Sequence, residues 1–89
     1  MKIKSGFELE VLGGQKTIVY KGEKGVAFNQ TIVLSETTAF LWNYLKKNDA
    51  TKAQMLSALI EAFDISTVLA LGDIDTFVKT LKANGIIEE

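Results

Sequence analysis

The hydrophobic period of this chain changes once, at Ser35, and that change restricts it to a sheet-then-helices layout. Before Ser35 the period is two. Phe7, Leu9 and Val11 alternate with Glu8 and Glu10, as in a strand with one apolar face. Gly13-Gly14 supplies the positive φ angles of a tight hairpin turn, and Thr17-Ile18-Val19-Tyr20 is the β-branched and aromatic return strand. Lys21-Gly22-Glu23-Lys24-Gly25 is a polar turn. A third strand follows from Val26 to Leu34, densest at Thr31-Ile32-Val33-Leu34.

After Ser35 the period is helical. Ser35 is placed to cap a helix over about 36–47 that carries Ala39, Phe40, Leu41, Trp42, Tyr44 and Leu45. Thr51 with Gln54 is a capping-box pattern, opening a second helix from Lys52 to Phe63. Ser66 caps a third, on which Ala70, Ile74, Phe77, Val78 and Leu81 recur at helical spacing up to a stop at Gly85. Ile86-Ile87 is apolar enough to fold back onto the core. The expected architecture is α+β and winged-helix-like: a three-stranded antiparallel β-sheet followed by three α-helices. One domain is expected over residues 1–89, with a meander over 1–34 and a helical part over 35–89. In a DNA-binding winged helix the wing tends to follow the helices, so this order is unusual for that class.

Absent residue types remove most chemistry. The chain has no Cys, no His and no Arg. Thiolate nucleophiles, sulfur-built zinc sites and clusters are excluded, as is the commonest general base and metal ligand. The bidentate fork for phosphate or guanine is missing as well. Glu8 and Glu10 share a strand face and read as solvated. Asp73 and Asp75, two apart on a helix, diverge by about 200° and make no dyad. Ser35 has no base beside it. The reading is therefore a protein that is not an enzyme and uses no cofactor or metal.

Charge argues against nucleic acid. Five lysines face four acids in residues 1–45, and five face seven in residues 46–89. Neither half has the basic field that counterion release requires. A winged-helix DNA-binding protein stays as the alternative from another class, to be told apart by salt-dependent binding. A dimerisation module is a third possibility. No apolar run is long enough to span a bilayer and no signal-peptide h-region follows Met1, so a cytoplasmic protein without membrane contact is expected.

What remains is an edge. Gln30, Thr31, Ile32, Val33 and Leu34 carry neither charge nor Pro, the usual devices that protect a sheet edge. An extended peptide can pair with such an edge by strand addition. The competing reading is that a loop, a helix or a second copy covers it, so both a monomer and a homodimer are allowed. Helix three offers a second wall. With Ile74 at the centre of its stripe, Leu71 and Val78 widen one flank, and Asp75, Lys79 and Lys82 rim it. The Leu71 side is taken to face the strand.

From the third strand onward the residues resemble the PQQ (pyrroloquinoline quinone) biosynthesis protein D family. The segments are Thr31-Ile32-Val33-Leu34-Ser35, Thr38-Ala39-Phe40-Leu41-Trp42-Asn43-Tyr44-Leu45, Thr51 with Met55-Leu56 and Leu59, and Phe63-Asp64-Ile65. Asp73-Ile74, Phe77-Val78, Leu81 and Gly85-Ile86-Ile87-Glu88 complete them. Ser35 stands where members often have Asn, and Thr38 where they often have a small residue. The first part of the chain matches only in its strand–turn–strand outline. The resemblance implies a peptide chaperone, similar to the recognition elements of ribosomally made, modified peptides. It implies a precursor's leader peptide lying beside the third strand against helix three, and its presentation to a modifying enzyme, often a radical SAM (S-adenosylmethionine) protein. The iron–sulfur cluster would belong to that partner.

Overall fold

A computed structural model describes residues 1–23 and 28–88. It has the expected α+β order of a three-stranded antiparallel sheet followed by three helices, and it adds a second, small sheet.

Strand β1 (Lys2–Ile3) comes first, then a hairpin of β2 (Phe7–Leu12) and β3 (Gln15–Tyr20). The hairpin pairs throughout, from Phe7 opposite Tyr20 to Leu12 opposite Gln15. Gly13 and Gly14 close it with φ of 59° and 80°. Two successive positive φ angles give the turn whose twist matches its strands. Gly6 is needed for another reason. Its φ is 95°, and a Cβ there would lie 2.6 Å from the Tyr20 ring.

β4 (Val33–Leu34) joins the far side of β3, with Leu34 opposite Lys16 and Val33 opposite Thr17. The Ile18 N–H also donates to the Ile32 carbonyl at 3.0 Å. Of the strand expected over Val26–Leu34, the described residues 28–34 are regular only in the last two. Val26 and Ala27 lie outside the described residues. Asn29, Gln30 and Thr31 are polar and exposed, so no buried side chain presses them into the ladder. Phe28 turns inward, its ring 5.3 Å from that of Phe7.

Helices α1 (Glu36–Lys47), α2 (Lys52–Ala62) and α3 (Thr67–Ala83) begin where their caps place them. Ser35 and Thr38 form a reciprocal capping box, as do Thr51 and Gln54, and the Ser66 hydroxyl accepts from the Leu69 N–H. Local side-chain chemistry alone sets these starts. Leu41, Trp42 and Leu45 of α1, Met55 and Leu59 of α2, and Ala70, Ile74, Phe77, Val78 and Leu81 of α3 form one core with Phe7, Ile18 and Ile32 of the sheet side. Phe40 is half-buried, edge-on to Phe63.

Ile86 and Ile87 do fold back, and they do so by sheet pairing. β5 (Ile87–Glu88) runs antiparallel to β1, and the Lys4 N–H donates to the Ile86 carbonyl at 2.8 Å. Two-residue strands are too short to leave a periodic signal, so β1 and β5 are not legible in the hydrophobic pattern.

Candidate functional site

The three-stranded sheet has two outer edges, β2 and β4, and their chemistry differs. On β2 the Gly6 carbonyl accepts from the Lys21 N–H, which points Gly6 toward β3. Backbone groups alternate sides along an antiparallel strand, so those of Phe7, Leu9 and Val11 point outward. Lys46 of α1 covers the start of this row, its ammonium donating to the Phe7 carbonyl at 2.9 Å and lying 3.3 Å from Glu8. Glu10 is ion-paired with Lys21, and this hydrogen bond and charge hold the Lys21 ammonium above its usual range. The two strand carboxylates are thus a charged, partly covered edge rather than an acid–base pair.

The β4 edge has no such protection. Ile32 points its backbone groups at β3, so the groups of Thr31 and Val33 point outward. Among the described residues, no side chain caps them. The Ser35 N–H, next in the outward row, is already taken by the Thr38 hydroxyl at 2.8 Å. An added strand therefore finds a short ladder that ends at Val33. The Val33 side chain is 44% exposed beside it. Gln30 and Thr31 are exposed, Leu34 is half-buried, and Ile32 belongs to the core.

The wall beside this edge is the other flank of α3 from the one expected. Thr37, two residues past Ser35, donates to the Asp73 carboxylate at 3.3 Å, so the Asp73 flank faces the end of β4. At the far end of α3, Asn84 borders one hollow with Phe28. Asp73, Phe77, Thr80 and Asn84 recur at helical spacing between these two anchors. Asp73 is thus anchored beside the start of α1 and Asn84 beside Phe28. Phe77 is the buried floor of this stripe, and the other three are half-buried.

The Leu71 flank looks toward α2. Lys52, in the first turn of α2, lies 3.1 Å from Asp75, and Lys52, Asp75, Val78, Lys79 and Lys82 border a hollow of about 420 Å³. Val78 is 2% exposed and serves the core. So the structure gathers Asp75, Val78, Lys79 and Lys82 in one place, with Leu71 on the same flank, but not beside Gln30–Leu34. A helical wheel gives the width of an apolar stripe and says nothing about which neighbour stands on each side. The 63–66 connection is short, and the Lys52–Asp75 pair sets the start of α2 against the Leu71 flank. Asp73, Thr80 and Asn84 were missed for the same reason.

Among the described residues no helix is long and apolar enough to cross a membrane. No curated protein and no solved structure matches the chain at a significant level. The model of the family described as coenzyme PQQ synthesis protein D (PqqD) matches residues 16–87, from β3 through β5. That match takes in the open β4 edge and all three helices, and the chain belongs to the PqqD family.

Proposed function

We propose that the protein is a non-catalytic adaptor that binds the leader of a ribosomally made precursor peptide and presents it to a modifying enzyme. The leader adds as a strand to the outer edge of β4, between that edge and the Asp73–Thr80–Asn84 flank of α3. The partner is a radical SAM or other peptide-modifying enzyme, which supplies the chemistry. One observation carries this reading. Of the two edges of the sheet, β2 is covered at its start by Lys46 and flanked by charge, whereas Val33 on β4 and Thr31 just before it are left open among the described residues. Natural sheets guard edges that are not meant to pair. Family membership supports a place in PQQ-type peptide chemistry. The absence of Cys and His agrees with a role built on backbone pairing.

The test is a titration of isotope-labelled full-length protein with the leader of a precursor peptide encoded beside it. Amide shifts should concentrate at Thr31–Leu34 and at Asp73, Thr80 and Asn84. Shifts confined to the Lys52–Asp75–Lys79 hollow, or no binding, would reject the assignment. DNA binding that falls steeply with salt would favour the alternative class.

A further inference from the structure

One hollow has three aromatic rings in its lining. Phe7, Tyr20 and Phe28 form its floor, with ring centroids 4.9 Å apart for Phe7 and Tyr20 and 5.3 Å apart for Phe7 and Phe28. Lys4, Ser5, Asn84, Gly85 and Glu88 form the rim, and the space is about 400 Å³. The ring of Tyr20 is held in place from behind. Cβ atoms at Gly6 or Gly22 would collide with it, and its hydroxyl accepts from the Glu23 N–H. Three packed rings bordered by polar groups offer a seat for a large apolar side chain whose neighbours on the peptide are polar.

Its position says what would fill it. Phe28 begins the segment that leads to the open β4 edge, and Asn84, beside it, ends the α3 stripe that starts at Asp73. The hollow is therefore the far end of the same groove. Ile32 and Leu34 pack on the helix-facing side of the sheet, and the Phe28 ring meets Phe7 on that same side. Side chains of an added strand alternate between faces, so every second one is directed to this side.

We infer that the Phe7–Tyr20–Phe28 hollow seats one large apolar side chain, aromatic or branched aliphatic, of the strand-added peptide, and so sets the register and sequence preference of the leader. This inference rests on the strand-addition reading, and the experiment separates the two. A displayed library of random linear peptides is selected on the full-length protein, and the enriched peptides are synthesised. They should share one large apolar residue at a fixed position. Replacing it with Ala should weaken binding by about 10- to 100-fold, the expectation for burying such a side chain. Ser5→Trp and Lys4→Trp, two independent ways to fill the hollow from exposed rim positions, should weaken the parent peptides similarly and leave the Ala-substituted peptides unaffected. Unchanged melting of either variant secures the comparison. Peptides that shift Thr31–Leu34 amides but share no apolar position, and bind both Trp variants as tightly, would overturn the hollow's role and leave strand addition standing. Selected peptides that shift neither β4 nor Phe28, or a selection that enriches none, would overturn both.

Discussion

Val33 and Ile32 are adjacent and both apolar, yet their backbone groups face opposite ways. Ile32 bonds toward β3 through the Ile18 N–H, and Val33 faces out. Ile32→Pro removes a donor that points into the sheet and should lower stability by about 1–3 kcal/mol in urea denaturation. Val33→Pro removes only an outward donor. It should leave the unfolding midpoint nearly unchanged and weaken leader-peptide binding about fivefold, the worth of one backbone hydrogen bond. A larger stability loss for Val33→Pro than for Ile32→Pro would mean that the phase of the ladder is reversed. At this scale the open, uncharged strand was legible in Gln30–Leu34. Its phase was not, because alternation within a strand leaves two equivalent choices until one bond to a neighbour selects between them.

The helices were legible to within a residue or so because their starts are decided by local side chains. Ser35, Thr51 and Ser66 each accept from a backbone N–H three residues on. The strands were less so. β4 loses its expected first part because Asn29–Thr31 have nothing to bury. The neighbour of each α3 flank was open as well, since the wheel is symmetric about Ile74. Adjacent positions now test the outcome. Thr80 and Lys79 are about 100° apart around the helix, one toward the β4 groove and the other toward α2. Thr80→Trp should block peptide binding by tenfold or more, on the order of the loss of one buried side chain's contacts. Lys79→Trp should not change the dissociation constant measured by calorimetry. The reverse result would return the site to the Leu71 flank.

At the scale of the whole molecule, the chain's two ends are brought together by β1 and β5, and Ile86 beneath them is fully buried. Ile86→Ala should cost about 2–5 kcal/mol by the usual penalty for a large-to-small change in a core, read as a lower denaturation midpoint. Such a loss would mark β5 as part of the cooperative core, and a loss below about 0.5 kcal/mol would mark it as a frayed tail. Lys21 sets the sign of one alkaline effect. Its raised pKa means that its pairing with Glu10 contributes below the usual lysine value of 10.5 and is lost only as pH climbs past the folded value. A denaturation midpoint that rises as the pH climbs through this range would contradict this. The sequence by itself determined the fold class, the helix starts, the hairpin turn and the exclusion of side-chain catalysis based on Cys or His. Each of these depends on residue identity or on contacts a few positions apart. Only the tertiary structure decided which sheet edge is guarded, which flank of α3 stands beside β4, and that β1 pairs with β5. Those depend on contacts between residues distant in the chain, whose partners no local pattern can name.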